Sequence, residues 1–206
     1  MMQNTSPEPY SVTKRDVKKV IETLVQAFFT DHLFSFFFPE PKSRLRILPK
    51  FFNYRIRNGF IDGKIFATSE NIEGVVILTQ SEYKRFSWLR AIRTGGIGLY
   101  RAAGSEIASK MREAESFVVT KRDECISEPY WYLGSLAVHP DYQGKGLASN
   151  LVRPVLEMCS SQNKLCVLET QDEGLVQIYE HYGFDVVDSF TLPIVNLPHW
   201  VMAKQP

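Results

Sequence analysis

Tyr132 to Ala148 reads YLGSLAVHPDYQGKGLA, and this stretch decides the fold. An apolar strand ending in Leu136-Ala137-Val138 runs into a turn spaced by Gly144 and Gly146, and a helix opens directly behind it. The first backbone N–H groups of a helix have no partner within it, and the aligned peptide dipoles add partial positive charge there. Glycine lets an anion approach that backbone closely, so the junction fits a pyrophosphate. Gly144-Lys145-Gly146 lacks the upstream glycine and trailing Ser or Thr of a nucleoside-triphosphate loop, and the last glycine of a dinucleotide fingerprint is also missing. A tight strand-to-helix turn with no ligand is the alternative this stretch alone leaves open.

A second signal lies downstream in Ile178-Tyr179-Glu180-His181-Tyr182-Gly183-Phe184. Gly183 reads as a helix stop in the left-handed region, with Phe184 packing back onto the core. Tyr179 is either a core side chain with its hydroxyl at the rim or a reactive group. Gln143-x-x-Gly146-x-Ala148 behind its strand, and Y-E-x-x-G-F from Tyr179 to Phe184, together resemble two signatures of the GNAT N-acetyltransferase superfamily. With Leu168-Glu169-Thr170 and Trp200-Val201-Met202, the region from Tyr130 onward resembles the puromycin N-acetyltransferase-like branch. Ala27-Phe28-Phe29-Thr30-Asp31 resembles the A-F-x-x-D segment of the same relatives.

The resemblance implies an α/β (α+β) domain over residues 1–206, with a mixed, mostly antiparallel sheet flanked by helices and a splayed strand pair forming an acetyl-coenzyme A cleft. It implies transfer of acetyl from acetyl-coenzyme A to a primary amine of a small molecule, by direct attack in a ternary complex. The alternatives are a peptide or protein acceptor, and a non-catalytic acyl-coenzyme A-binding module. Leu136, Ala137 and Val138 would present backbone groups to the pantetheine arm, one N–H stabilising the oxyanion. Gln143 would brace the turn, and Gly144, Lys145, Gly146, Leu147, Ala148 and Ser149 would form the pyrophosphate nest. Lys145 either adds charge or is an ordinary solvated lysine. Tyr179 would protonate the departing thiolate. Relatives place an asparagine one turn before that tyrosine; here Leu175 stands there, with Asp172, Glu173 and Gln177 as nearby substitutes.

Glu169 is the candidate general base, at the end of an apolar strand where desolvation would raise its pKa. A strand-end carboxylate bonded to backbone or a lysine is the competing reading. His32, His139, His181 and His199 are scattered without ligand spacing, so no metal is expected; His139 reads as a turn residue, and His32 as able to reach an acceptor pocket. Cys159 falls on the inner stripe of its helix and Cys166 within an apolar strand, so neither reads as an acyl-carrying nucleophile.

Elsewhere the patterning predicts a helix with Val17, Val20, Ile21, Leu24, Val25 and Phe28 on one face, and a second helix from Pro41 with Leu45, Leu48 and Phe52 inward. It predicts a hairpin of Lys64–Thr68 and Gly74–Thr79, helices from Tyr83 to about Cys125 bent at Thr94-Gly95-Gly96-Ile97-Gly98, a strand over Tyr130–Val138, and a helix from about Gly146 to Ser160 bent at Pro154. Leu165–Thr170, Phe184–Phe190 and Trp200–Ala203 read as strands, and Leu175–Tyr182 as a short helix. The aromatic run Phe28-Phe29, Leu33-Phe34 and Phe36-Phe37-Phe38 is core, with any exposed part forming an apolar wall for a flat or greasy acceptor.

Composition narrows the classes. The 206 residues suffice for one well-buried core. A net charge of +1, from 24 basic and 23 acidic residues, makes nucleic acid an unexpected partner. The polar, proline-bearing start MMQNTSPEPY resembles no secretion signal, no apolar stretch reaches bilayer length, and three cysteines form no even framework. The expectation is a cytoplasmic protein without a membrane partner, monomeric or homodimeric, with residues 1–9 flexible.

Overall fold

The computed structural model of the chain describes residues 8–81 and 88–206. Residues 1–7 of the expected loose start, and 83–87 of the expected helical stretch, lie outside the described residues. Seven strands form a sheet in the order β1-β2-β3-β4-β5-β7-β6: β1 (Tyr10–Ser11), β2 (Gly63–Ala67), β3 (Gly74–Gln80), β4 (Tyr130–Val138), β5 (Leu165–Thr170), β6 (Asp185–Leu192) and β7 (Leu197–Lys204). Every neighbouring pair is antiparallel except β4 and β5. A parallel pair needs a crossover, and α7 (Leu147–Ser161) supplies it. The expected mixed, mostly antiparallel sheet flanked by helices is therefore what the chain forms.

Before β2 come α1 (Val17–Phe28), α2 (His32–Phe37) and α3 (Pro41–Asp62). The α1 stripe buries Val20, Leu24 and Val25. Asp31 caps α2 by accepting from the Phe34 N–H at 3.0 Å. In α3, Leu48 and Phe52 are buried as the spacing predicts, but Leu45 is 56% exposed. Leu45 shares their face one turn nearer the helix start, outside the core cluster, and Ile47 is buried instead. The aromatic run is mostly core: Phe34, Phe37 and Phe38 are buried, with Phe34 edge-on to Phe51 at 4.9 Å, while Phe36 stays exposed.

Between β3 and β4 lie α4 (Trp88–Thr94), α5 (Gly96–Ala103) and α6 (Ser105–Cys125). Gly95, at φ 91°, makes the expected bend between the first two. The last helix, α8 (Glu173–His181), starts earlier than Leu175 because Asp172 caps it, accepting from the Gly174 N–H at 2.8 Å. Gly183 adopts φ 84° beyond its end. α7 is continuous through Pro154.

Two features of β4 shape the cleft. Its register with β3 shifts between Ile77, opposite Ser135, and Leu78, opposite Leu133, so Gly134 is an extra residue on β4. Leu133 and Leu136, three apart, consequently pack on the same side of the sheet. A Cβ at Gly134 would collide with Arg55 of α3, whose Nη2 donates to the Gly134 carbonyl at 3.2 Å. The β4–β5 ladder runs only from Tyr130 opposite Leu165 to Tyr132 opposite Val167. From Leu133 onward β4 turns away, while β5 stays paired with β7 as far as Thr170.

Candidate active site

The gap between the splayed ends of β4 and β5 opens into a cavity of about 1240 Å³. Leu136, Ala137, Val138 and Gln143 line one part of it, Glu169 and Tyr179 others. The two faces of the sheet thus meet in one space. Tyr179 packs with Trp131, Leu133, Leu168 and Leu151 on the α7 and α8 side, whereas Tyr132 packs with Tyr130 and Val167 on the opposite side.

On the turn, Gly144 and Gly146 both have φ 75°, and a Cβ at either would meet nothing within 4 Å. The demand for glycine there is therefore conformational, since the left-handed region costs other residues about 1–2 kcal/mol. Gln143 Nε2 donates to the Val138 carbonyl at 3.1 Å and joins strand to turn. Lys145 Nζ donates to the Asp141 carbonyl at 3.1 Å and lies 5.0 Å from the Tyr142 ring centroid, so it braces the turn. Gly146 precedes α7 without a side-chain cap, leaving the first-turn N–H groups of Leu147 and Ala148 for an incoming anion. The Ser149 hydroxyl lies 2.6 Å from that of Tyr182, tying this turn to the end of α8. Gly144 to Ser149 sit beside Gln143, outside the cavity lining itself.

Tyr179 is 9% exposed and edge-on to Phe184 at 5.8 Å. Burial, with the neighbouring Tyr182 and Cys166, pushes its hydroxyl up to about 12. Leu175, in the place of the relatives' asparagine, lines the cavity but is 39% exposed and brings no hydrogen-bonding group.

Glu169 differs from expectation in its charge state. Desolvation does push its pKa upward, but His199, the Arg122 guanidinium and the Tyr132 hydroxyl outweigh that push and hold the carboxyl below its usual value. Arg122 Nη1 donates to Oε1 at 2.6 Å, and the Tyr132 hydroxyl donates to Oε2 at 2.9 Å. Arg122 also donates through Nε to the Tyr130 hydroxyl at 2.8 Å, and its guanidinium lies 4.4 Å from the Tyr132 ring centroid. Arg122 and His199 carried no recognisable motif, and Tyr132 opens the strand-and-turn stretch without signalling Glu169 as its partner. Arg122 comes from α6, a stretch read as helical but matching no family motif, and its partner lies 47 residues further on.

His32 lines the cavity and is exposed, and His139 accepts from the Asp141 N–H at 3.3 Å as a turn residue. Cys159 and Cys166 are buried. Among the described residues no cluster of metal-ligating side chains occurs, and no helix is long and apolar enough to cross a membrane.

A seven-stranded sheet split between β4 and β5, with a glycine turn at one end of the gap and a tyrosine on its wall, is the fold that solved acetyltransferase structures share with this chain. Residues 106–184 match the family model described as acetyltransferase (GNAT) family. An uncharacterised N-acetyltransferase of Schizosaccharomyces pombe is 25% identical over 95% of this chain and 82% of its own length. A Corynebacterium glutamicum structure described as histone acetyltransferase HPA2 and related acetyltransferase aligns at TM-score 0.67 and 20% identity, covering 98% of this chain and 97% of that one. Arylalkylamine N-acetyltransferase 2 of Aedes aegypti aligns at TM-score 0.60 and 15% identity, covering 96% and 98%. Residues 106–184 thus resemble the GNAT family, whose members use acetyl-coenzyme A, within a fold shared with these acetyltransferase structures. The narrower likeness to puromycin N-acetyltransferases rests on the sequence motifs alone.

Proposed function

We propose that the protein transfers acetyl from acetyl-coenzyme A to the primary amine of a small molecule with an apolar or aromatic body. The observation that carries this reading is the single cavity between β4 and β5, which Tyr179 enters from one face of the sheet and Glu169 from the other. Its outer wall, with Phe28, Phe34, Phe51, Leu99 and Met111, suits an apolar acceptor body. The arylalkylamine acceptors named for the Aedes aegypti relative are of this kind.

In this reading the turn from Gly144 to Ser149 holds the pyrophosphate, and Leu136, Ala137 and Val138 hold the pantetheine arm and thioester along the unpaired edge of β4. The amine nitrogen attacks the thioester carbonyl in a ternary complex, and a β4 N–H bonds the developing oxyanion. As the C–N bond forms and the C–S bond breaks, Tyr179 donates its proton to sulfur. The amine's proton passes to the acceptor-side cluster through Glu169, a weak base that hands it on to solvent.

Thiol release from acetyl-coenzyme A, followed over small arylalkylamines, aliphatic diamines, puromycin and short peptides, tests the reading. Turnover of an aromatic monoamine supports it, turnover of peptides alone reassigns the acceptor, and tight acetyl-coenzyme A binding without turnover of any amine removes catalysis. Gly146→Ala is expected to weaken acetyl-coenzyme A binding about tenfold, because alanine must adopt φ 75° to keep the turn. Titration calorimetry checks this, and unchanged affinity would take the turn out of the binding site.

A further inference from the structure

One buried group in the cavity wall has no task in that mechanism. His199, on β7, is 2% exposed, and its ring stacks on Phe190 of β6 with 4.9 Å between centroids and 13° between planes. The Gln171 side-chain amide holds Nδ1 at 2.8 Å. Nε2 is buried with no hydrogen-bond partner among the described residues, which is rare for a polar atom in a folded core. It lies 3.7 Å from Glu169 Oε2, within ion-pair distance but too far for a hydrogen bond.

The charged and titratable groups around this ring come from three elements. Glu169 faces it from β5, Arg122 from α6 holds the other carboxylate oxygen, and β4 contributes the hydroxyls of Tyr130 and Tyr132. β6 presents the uncharged ring of Phe190, and Gln171 is neutral. With a neutral imidazole, the guanidinium and the carboxylate cancel. With a protonated imidazole, two cations stand against one carboxylate and the acceptor wall becomes positive.

We propose that His199 is a positioning residue that sets the charge of the acceptor wall, so that its protonation turns acetyl transfer down in acid. The proposal rests on the reading of Glu169 as the acceptor-side carboxylate. Protonation places an N–H on both ring nitrogens: Nε2–H points its charge at Glu169, and Nδ1–H donates to the Gln171 carbonyl once that near-isosteric amide turns over. Two consequences share one sign. An imidazolium beside Glu169 makes the carboxylate a weaker proton acceptor, and the positive wall repels an incoming ammonium. Both act on the acceptor, while the turn that would bind pyrophosphate lies at the start of α7, away from this cluster. Histidine is the side chain suited to such control, because its ordinary titration falls between about pH 5 and 8.

The test compares His199→Gln with wild type on the full chain, using 2-phenylethylamine as acceptor and saturating acetyl-coenzyme A. The ratio of kcat/KM values, variant over wild type, cancels the amine's own ionisation. It is expected to rise about tenfold per pH unit below the histidine range, with the acceptor's KM carrying much of the change. A ratio flat with pH overturns the proposal, since a merely structural loss would not depend on protons. A second readout needs neither turnover nor that variant: NMR titration of His199 in wild type and Glu169→Gln. The ring signals of His199 are expected to respond to pH in the wild type and to respond differently in Glu169→Gln, whose carboxylate faces Nε2 at 3.7 Å in the wild type; an identical response in the two proteins, or none between about pH 5 and 8, overturns the proposal. Wild type that acetylates no amine sinks the proposed function and the acid control of transfer with it, whereas turnover with a flat ratio sinks the control alone.

Discussion

Tyr179→Phe is expected to lower kcat by about 10²- to 10⁴-fold while leaving the dissociation constant of acetyl-coenzyme A unchanged. Phenylalanine preserves the edge-on contact with Phe184 and the packing against α7, so the loss isolates the hydroxyl. Because burial pushes that hydroxyl up to about 12, it stays protonated through neutral and moderately alkaline solution and can donate throughout. Any loss of rate below about pH 11 on the alkaline side therefore belongs to another group. Single-turnover kinetics beside calorimetric binding makes the measurement. Equal rates for the two proteins would return Tyr179 to the role of a core side chain and reopen the reading of a binding module.

Arg122→Met is expected to destabilise the fold by about 3–5 kcal/mol, lowering Tm by on the order of 10 °C. Arg122 and Glu169 are 7% and 8% exposed at the side chain, so removing the cation strands a buried carboxylate. Adding Glu169→Gln should restore much of the loss, because an uncharged pair leaves no buried charge to compensate. The folded-state pKa of Glu169 lies below its unfolded value, so the cluster's contribution is complete above about pH 4.3 and is lost as pH falls through the folded value. In Arg122→Met the carboxyl pKa rises, and the stability lost on acidification should shrink accordingly. Denaturant unfolding at several pH values checks both points; a loss under about 1 kcal/mol would mean that the pair behaves as a solvated surface pair.

The wrong expectation for Glu169 shows where sequence reading stopped. Burial of a strand-end carboxylate was legible from the apolar run Leu165 to Leu168, and burial alone raises a pKa. The sign reversed because the partners come from elsewhere: Tyr132 is 37 residues away in sequence, Arg122 is 47, and His199 arrives on β7. Leu45 failed for a related reason. Helical periodicity gives the face of a side chain, not where along the helix the core ends.

By itself the sequence determined the strand, the glycine turn and the helix behind it, and the left-handed stop at Gly183, together with the β2–β3 hairpin, the α1 stripe and the Gly95 bend. These depend on local φ values, on capping within a few residues and on periodicities of two and 3.6. The tertiary structure alone decided that β4 and β5 part after Tyr132, so that Tyr179 and Glu169 enter one cavity from opposite faces. It also decided that Glu169 is held as a charged group by Arg122 and Tyr132. Strand pairing and buried charge are set by groups that meet only when distant segments fold together, and in a medium of low dielectric the nearest such charge governs the site.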